Sequence, residues 1–528
     1  MKTKTVEKVK MTNEHKGYVK NGVRRMILSA IAILLQIMLL IGLSINVSRV
    51  MQNVQTILYF VAAAMATLIY SRNRTSALKA PWMILIAAFP IAGAAMYLMI
   101  GSDSGTKEMK RRYKEIDEEI AEHLPRNDEE LKELSEYSVA VAGIASYIRN
   151  YTNFPVYRNT DIKYFSEAMD AFLSQIEDIK KAKKFVFVEY HAIEDAEAFH
   201  MLEEPLAECA KRGVDVRIFY DDIGSIGFVD TDFVGRMESL GIRCRVFNRV
   251  SPVLNFFFNN RDHRKITVID GKVGYTGGYN IANEYFNITR PYGSWKDSGI
   301  RLEGEAVRSL TLTFLEMWGA SKRKKEKHYI ENYECFIPEY DYKAKEDAFV
   351  IPYADSPLRK EPLAENVYIS LVEKAHKFCY FTTPYLIVGD EMMHALSLAA
   401  KRGVDVRIIT PGIPDKNLIY SVTRSYYHNL VRAGVKIYEW TPGFCHSKMC
   451  IVDDKVAACG TINLDFRSLY HHFENGCLIA NSKVVQEIKA DILKTQSESK
   501  DVSEHYLSGR SVPLKMKQAM LRIFAPLF

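Results

Sequence analysis

The sequence has few cysteines and lacks the paired cysteines that hold structural metals. All eight lie beyond residue 200, and no two form a Cys-x-x-Cys pair. Cys445 and Cys450 bracket a histidine, but two cysteines without a second pair at ligand spacing are a weak metal signature. We interpret the cysteines as unpaired core residues, which mildly favours a reducing compartment. We expect no metal and no other cofactor.

A strong charge imbalance is also missing. The 70 lysines and arginines nearly balance the 64 aspartates and glutamates, which leaves a net charge of +6 over 528 residues. So mild a charge does not by itself indicate nucleic-acid binding, although it is compatible with an anionic membrane surface. The length has room for two or three domains.

The N-terminal region is the most apolar part of the chain. Eight lysines and arginines in residues 1–25 form a basic tail ahead of Met26–Val47, which is 22 residues long and carries no charge. A segment of that length can span a bilayer. Residues 54–70 and 81–101 are further apolar segments, the last with aromatic residues near its ends. The sequence therefore predicts N-terminal transmembrane helices over residues 26–101 and a multi-pass protein of the cell membrane.

The basic stretches between the apolar segments bear on the orientation of this anchor in the membrane. The basic tail and the basic stretches Arg72–Lys79 and Lys107–Lys114 are all expected on the cytoplasmic side. Three full spans cannot satisfy all of them. One arrangement is a spanning hairpin over residues 26–70 followed by a re-entrant segment kinked at Pro90. The other is three spans with the rest of the chain outside. We favour the first, which faces the rest of the chain to the cytoplasm.

Beyond the anchor the pattern changes twice. Residues 102–154 are charged and helix-prone, and we expect a solvated connector. From residue 155, helical stretches alternate with short β-branched runs, which predicts an α/β fold with a mixed sheet flanked by helices. The predicted strands are Phe185–Glu189, Val214–Phe219, Arg243–Phe247 and Lys265–Ile269, then Phe378–Thr382, Val404–Ile409, Val435–Tyr438 and Lys448–Val452.

A long internal repeat organises this α/β part. The segment HRKITVIDGKVGYTGGYN (His263–Asn280) aligns without a gap to HSKMCIVDDKVAACGTIN (His446–Asn463), 183 residues later. The octamer KRGVDVRI also occurs twice, at Lys211–Ile218 and Lys401–Ile408. Such a duplication predicts two lobes, residues 155–320 and 351–528, related by pseudo-two-fold symmetry and joined by a polar linker over 321–350.

The repeated segment carries reactive residue types at strand spacing. In a strand, His263 and Lys265 project from one face, because side chains alternate with period two. Asp270 then falls in the following turn or on the other face, where it is expected to brace the motif. The second copy gives the same arrangement. The predicted catalytic set is His263, Lys265, Asp270, His446, Lys448 and Asp453, with Gly277, Gly278, Asn280, Thr461 and Asn463 as substrate-binding residues.

Two such lobes facing each other suit a phosphodiester. Lysine and asparagine donors would hold the non-bridging oxygens and stabilise charge that develops at phosphorus. One imidazole can attack phosphorus to give a phosphohistidine, while the other protonates the leaving alcohol and later deprotonates the acceptor. This chemistry needs no metal, and the two equivalent copies do not say which histidine attacks.

The paired motifs resemble those of the phospholipase D superfamily, and the surrounding sequence resembles bacterial cardiolipin synthases along nearly the whole chain. The matching stretches include TGGYNIANEY (Thr276–Tyr285), WKDSGIRLEGEAV (Trp295–Val307), TPYLIVGDEM (Thr383–Met392) and GTINLDFRSLYHHFE (Gly460–Glu474). Thr461 stands where the family usually has serine, which keeps the hydroxyl. The basic tail and first apolar segment are additional to the family's usual two-segment anchor.

The resemblance implies transfer of a phosphatidyl group between two phosphatidylglycerol molecules, giving cardiolipin and glycerol. It also implies that His263 is the nucleophile and His446 the acid and base. We further expect Asp297 and Glu474, each about thirty residues past a motif histidine, to orient the imidazoles. The alternatives are a phospholipase D-type lipid hydrolase and a phosphatidyltransferase with another acceptor alcohol. The expected partners are phosphatidylglycerol and membrane lipids, not nucleic acid.

Overall fold

The structure is a computed structural model that describes residues 13–527 except 51, 73, 102–106, 231, 251–258, 322–331, 360 and 509–511. Its helices are α1 (Asn13–Val50), α2 (Gln52–Tyr70), α3 (Ser76–Ala88), α4 (Pro90–Met96), α5 (Lys107–His123), α6 (Asp128–Tyr137), α7 (Val139–Thr152), α8 (Ala168–Lys180), α9 (Glu197–Lys211), α10 (Asp222–Ser225), α11 (Phe233–Ser239), α12 (Val307–Ala320), α13 (Leu363–Glu373), α14 (Asp390–Lys401), α15 (Asn417–Arg432), α16 (Phe466–Tyr470), α17 (Lys483–Ser497), α18 (Ser503–Leu507) and α19 (Val512–Phe524).

Its strands are β1 (Thr160–Phe165), β2 (Phe185–Tyr190), β3 (Asp215–Asp221), β4 (Arg243–Phe247), β5 (Arg261–Asp262), β6 (Lys265–Ile269), β7 (Val273–Gly277), β8 (Ser294–Lys296), β9 (Gly299–Gly304), β10 (Phe349–Asp355), β11 (Phe378–Thr382), β12 (Leu386–Ile387), β13 (Asp405–Pro411), β14 (Lys436–Trp440), β15 (Gly443–Cys445), β16 (Met449–Val452), β17 (Val456–Gly460), β18 (Leu464–Asp465), β19 (His472–Ala480) and β20 (Ser499–Asp501). Short 3₁₀ turns lie at Asn283–Phe286, Tyr333–Phe336 and Ala525–Leu527, and a π-helical turn lies at Tyr97–Gly101.

The N-terminal apolar segments are helical. The third segment has the expected kink, because α3 ends at Ala88 and a new helix begins at Pro90. Proline has no amide hydrogen with which to continue the preceding helix. Among the residues that the structure describes, no helix has the combined length and apolar character needed to cross a membrane. The predicted N-terminal transmembrane helices are therefore not supported.

The charged connector is also different from the expectation. Ile116 in α5, Leu134 in α6 and Ile148 in α7 are fully buried. Helix α7 packs against α13 and β10, and α5 packs against α12. The prediction of a solvated connector is wrong, because these helices are amphipathic and bury one face. The inner faces belong to the main hydrophobic core.

Each lobe is built on one mixed sheet, as an α/β fold requires. The first sheet has the strand order β1-β9-β7-β6-β2-β3-β4, and the second has the order β10-β19-β17-β16-β11-β13-β14-β20. In both sheets three strands are parallel, namely β2-β3-β4 and β11-β13-β14, and the strands on their β6 or β16 side are antiparallel. Seven strands thus match in order, and β20 is an addition to the second lobe.

Backbone pairing also joins the two lobes. Strand β5 of the first lobe pairs in parallel with the start of β19, and β15 of the second lobe pairs in parallel with β8. Each lobe thus contributes one short strand that pairs with the other lobe, as a pseudo-two-fold relation requires. Tyr157, just ahead of the first sheet, forms a further bridge to Val350 in β10. Strand β10 begins at Phe349, so the last two residues of the predicted linker belong to the second sheet.

Candidate active site

Each motif histidine is held by the backbone of the opposite lobe. His263 follows β5, and its amide donates to the carbonyl oxygen of Phe473 at 2.9 Å. His446 follows β15, and its amide donates to the carbonyl oxygen of Lys296 at 2.8 Å. The paired strands therefore fix where both imidazoles stand before any side-chain contact is made.

The carboxylates expected to orient the imidazoles are exchanged between the lobes. Nδ1 of His446 lies 2.6 Å from Oδ2 of Asp297. Nδ1 of His263 lies 3.0 Å from Oε2 of Glu474 and 2.9 Å from Oε1. All four residues are buried. Because Nδ1 of each ring faces a carboxylate, Nε2 is the nitrogen left to meet a substrate.

The two motif lysines lie beside the histidines. Nζ of Lys265 donates to the carbonyl oxygen of His263 at 2.7 Å. Nζ of Lys448 donates to the carbonyl oxygen of His446 and lies 2.7 Å from its Nδ1. Burial lowers the pKa of Lys265 to about 7, helped by Lys448 and opposed by Glu474. Burial lowers the pKa of Lys448 to about 8, although the negative charge of Asp297 acts to raise it.

The same burial acts on the imidazoles. It holds the pKa of His263 well below the ordinary histidine value, and the charge of Lys265 adds to this effect. It lowers the pKa of His446 to about 3, with Lys448 acting in the same direction and Asp297 against it. The site without substrate thus contains neutral imidazoles, which is the form that can act as a nucleophile.

The motif aspartates stand apart from this chemistry. The Asp270 carboxylate accepts hydrogen bonds from the backbone amides of residues 183–185 at 2.9, 2.7 and 2.9 Å. The Asp453 carboxylate does the same for residues 376–378 at 2.6, 2.8 and 2.9 Å. Both lie in turns, with φ of +54° and +52°. The geometry corresponds to bracing, so their grouping with the catalytic residues is corrected.

The glycines of the first motif allow a close approach. A Cβ on Gly277 would stand 2.4 Å from the carbonyl oxygen of Ser298, and one on Gly278 would stand 2.0 Å from Oδ1 of Asp297. In the second lobe Thr461 occupies the position of Gly278. Its hydroxyl donates to Oε2 of Glu474 at 2.5 Å. Both positions therefore serve the carboxylates that face the imidazoles.

The two motif asparagines differ in their bonding. Oδ1 of Asn280 accepts from the amide of Ala192 at 3.1 Å, and its Nδ2 donates to the Tyr285 hydroxyl at 2.8 Å. This side chain is engaged by the protein, so Asn280 has less to offer a substrate than expected. Among the described residues, Oδ1 of Asn463 has no hydrogen-bond partner.

Several residues at the site were missed by the sequence reasoning. Trp295 and His472 hold equivalent positions, each two residues before a carboxylate. The ring of Trp295 lies 5.1 Å from that of His446, and the ring of His472 lies 5.4 Å from that of His263. Comparison of the two repeats at these positions would have found them. The other rings are Tyr285 and Phe444 at His446, and His191 at His263.

The two half-sites are therefore chemically unequal. The second-motif imidazole is enclosed by aromatic rings, whereas the first-motif imidazole is next to two further imidazoles. A phosphodiester bound between them would meet an apolar wall on one side and hydrogen-bonding rings on the other.

Known families and proteins match this chain along most of its length. The family model described as "Cardiolipin synthase, PLD-like domain" matches residues 175–318 and 368–495. The model described as "Phospholipase_D-nuclease N-terminal" matches residues 57–102. An uncharacterised protein of Streptococcus mutans is 38% identical over 84% of this chain and 95% of its own length.

Named relatives and one solved structure agree with this. A cardiolipin synthase of Halalkalibacterium halodurans is 30% identical over 87% of this chain and 90% of its own. Cardiolipin synthase 1 of Staphylococcus aureus is 28% identical over 89% of this chain and 96% of its own. The crystal structure of phosphatidylserine synthase from Haemophilus influenzae aligns over 73% of this chain and 98% of its own, with a TM-score of 0.54 and 18% identity. At that identity it shows a shared fold.

Proposed function

Because the chain belongs to the cardiolipin synthases of the phospholipase D superfamily, we propose that it transfers a phosphatidyl group from one phosphatidylglycerol to another. The products are cardiolipin and glycerol. The observation that carries the proposal is the pairing of each motif histidine with a carboxylate of the opposite lobe, which makes one site from both repeats. Such a site has the two imidazoles and two lysines that phosphoryl transfer through a covalent intermediate needs.

In the first half-reaction, Nε2 of His263 attacks phosphorus of the first phosphatidylglycerol. The bond from phosphorus to the headgroup glycerol breaks, and His446 gives its proton to the departing oxygen. Lys265 and Lys448 hold the non-bridging oxygens. The arriving phosphate anion favours a protonated His446, because an opposite charge nearby offsets the burial that lowers its pKa.

In the second half-reaction, a headgroup hydroxyl of the second phosphatidylglycerol gives its proton to His446. The resulting oxygen attacks phosphorus, the phosphorus–nitrogen bond breaks, and His263 is restored as a neutral imidazole. Glu474 stabilises the His263 ring while it carries the phosphatidyl group, through the hydrogen bond to Nδ1. Water would compete for the same intermediate, so exclusion of water decides between a synthase and a hydrolase.

The protein is membrane-associated, and its N-terminal helices offer a surface for this. Many apolar side chains there are more than half exposed, among them Leu28, Leu39, Phe60 and Leu68. Clustered exposed apolar side chains mark interfaces with a membrane or a protein. A lipid substrate makes the bilayer the fitting partner. The eight unpaired cysteines favour lobes that face the cytoplasm.

The C-terminal helix α19 extends this surface. Met516, Met520 and Ile523 recur along one side of the helix and are exposed, as spacing of three and four residues predicts. The other side is anchored, because the Arg522 guanidinium lies 4.4 Å over the ring of Tyr426. Helix α19 also contacts α3. Both ends of the chain therefore present apolar side chains from neighbouring helices.

The test is turnover of the purified full chain in detergent on phosphatidylglycerol alone, with a chelator present, while the lipid products are followed. We expect cardiolipin and free glycerol, and loss of both with His263→Ala or with His446→Ala. Phosphatidic acid as the main product would mean that water is the acceptor. No product from folded protein would contradict the proposed substrate.

A further inference from the structure

His472 is a buried side chain of the site that the proposed mechanism does not use. The residue is only 9% exposed, and within the described part of the chain neither of its ring nitrogens makes a hydrogen bond. A buried imidazole with two unsatisfied nitrogens lowers the free energy of unfolding by the desolvation of those atoms. Such a group points to a partner that arrives from outside the protein.

Two neighbouring atoms complete a set of possible metal ligands. Nδ1 of His472 lies 3.7 Å from Oε1 of Glu474, and Nδ1 of His263 lies 2.9 Å from the same oxygen. The ligand atoms of these three residues all lie within 4.8 Å of one another. Zinc bound tetrahedrally at 2.0–2.1 Å sets its ligand atoms about 3.3–3.4 Å apart. The two measured separations bracket that value.

The donor set also has the right chemistry. Two imidazoles and one carboxylate, with a fourth position open to water, are a known ligand set for zinc. Oε1 of Glu474 makes no hydrogen bond of normal geometry with any described residue, so it can accept a metal without losing one. Nitrogen donors disfavour magnesium and calcium, which prefer oxygen ligands.

We propose that Zn²⁺ binds His263, His472 and Glu474 and inhibits the enzyme reversibly. The ion binds Nδ1 of the neutral His263 imidazole, and the ring proton moves from Nδ1 to Nε2 by exchange with solvent. Nε2 then lacks the lone pair that would attack phosphorus. His263 then loses its hydrogen bond to Glu474 and is held by the metal. Binding is expected to be weaker than at structural zinc sites, because the Lys265 side chain is close by and repels a cation when charged. The inhibitory effect rests on the proposed function, whereas the binding itself does not.

One other cluster of ligand types is found among the described residues. It consists of Asp195, His200 and Glu203. Its geometry is less suitable, because Oδ1 of Asp195 already accepts from Arg236 at 2.7 Å and faces the His200 ring at 3.2 Å. The side chain of His200 is also 53% exposed. This cluster supplies a matched control for metal binding outside the active site.

The experiment titrates Co²⁺, a spectroscopic substitute for Zn²⁺, into the chelator-treated full chain in detergent. We expect a visible absorption band that saturates at one bound Co²⁺ per chain. Addition of Zn²⁺ should remove the band, because Zn²⁺ displaces the Co²⁺. His472→Asn and His472→Gln should abolish the band, whereas His200→Asn and His446→Asn should keep it. The melting temperature of each variant is measured to show that it is folded. A band that persists in both folded His472 variants, or no band in the wild-type protein, overturns the proposal.

Inhibition is measured on cardiolipin formation against buffered free Zn²⁺. Each variant is compared with its own zinc-free rate. We expect His472→Asn to need at least about tenfold more Zn²⁺ for half-inhibition, which corresponds to about 1.4 kcal/mol, and His200→Asn to match the wild-type protein. An unchanged zinc requirement in His472→Asn overturns inhibition through this site. Failure of the proposed function is distinguishable, because it would remove cardiolipin formation even without zinc and leave the Co²⁺ band in place.

Discussion

Oδ2 of Asp297, in the first lobe, lies 2.6 Å from Nδ1 of His446, in the second lobe. Glu474 stands in the reciprocal relation to His263. Each carboxylate reaches the other lobe because it directly follows, or lies within, a strand that pairs with the strand ahead of that histidine. Each motif histidine therefore depends on the other lobe for its carboxylate.

Removal of either carboxylate should slow turnover more than it weakens substrate binding. Asp297→Asn and Glu474→Gln keep the shape of the side chain but not its charge, so the imidazolium or phosphoimidazole is less stable. We expect kcat to fall about 10²-fold or more, with KM changed much less. Steady-state kinetics on phosphatidylglycerol measure both. Asp491→Asn is the control. Asp491 pairs with Lys296 at 2.9 Å, and Lys296 directly precedes Asp297 in sequence, so this variant removes a nearby carboxylate charge that does not face a motif imidazole. Near-normal turnover in the folded variants would contradict the orienting role.

The Thr461 hydroxyl should matter through Glu474. Thr461→Val keeps the volume and removes the hydrogen bond of 2.5 Å to the carboxylate, and hydrogen bonds to charged groups contribute about 1.5–3 kcal/mol. We expect kcat to fall about tenfold or more, while Thr461→Ser keeps most of the activity. Equal loss in both variants would show that the methyl group, and not the hydroxyl, is important.

Activity should decline as pH rises through the range in which the motif lysines lose their protons. Burial lowers the pKa of Lys265 to about 7 and that of Lys448 to about 8. The cationic forms, which hold the phosphate, exist below these values and are lost above them. We expect kcat/KM for phosphatidylglycerol to fall above about pH 7–8. A Lys265→Arg variant that retains activity should lack part of this decline, because arginine stays charged. A flat profile up to pH 10 in the wild-type protein would count against a role for the lysine charge.

The motif aspartates should affect stability. The Asp270 carboxylate binds three backbone amides, and Asp270→Ala leaves them without their acceptor. We expect the free energy of unfolding to fall by about 1–3 kcal/mol, seen as a lower melting temperature in detergent. Asp454→Ala is the comparison, because that neighbouring turn residue pairs only with Lys489 in the described contacts. A large loss of kcat without any loss of stability would instead place Asp270 in the chemistry.

The outer face of α19 should contribute to membrane contact. Met516→Glu with Met520→Glu places two charges on the exposed apolar side of the helix. We expect slower turnover on phosphatidylglycerol vesicles and little change on detergent-dispersed lipid, because only the vesicle requires insertion. Leu493→Glu, on an exposed apolar position of α17, controls for added charge. Equal rates on vesicles for all three proteins would remove α19 from the membrane surface.

Local sequence patterns located the core strands closely. Arg243–Phe247, Lys265–Ile269 and Phe378–Thr382 have the predicted bounds, because buried strands are continuous runs of β-branched and aromatic residues. Strands such as β7 and β9 were missed. Both strands contain glycines, which let neighbouring backbones approach closely. Because glycine does not favour strands, these two strands have only a weak pattern in the sequence.

Average composition gave a wrong prediction for the charged connector, because its helices have one charged face and one apolar face. Residues 107–152 carry many charges, yet apolar side chains such as Ile116, Leu134 and Ile148 are fully buried in the core. In the N-terminal region, Pro90 indicated the position of the kink, and the third segment divides there into two helices. For residues 107–152, the average over the stretch hid the single apolar residues that decide the packing.

The sequence by itself determined the chemistry of this protein, because the repeat places a histidine and a lysine two residues apart at two equivalent positions of the chain. Only the tertiary structure decided which carboxylate faces which imidazole and that His472 lies next to His263. Those contacts join residues 149 and 211 positions apart along the chain. They depend on how two sheets meet, and strand periodicity describes only the faces of one strand.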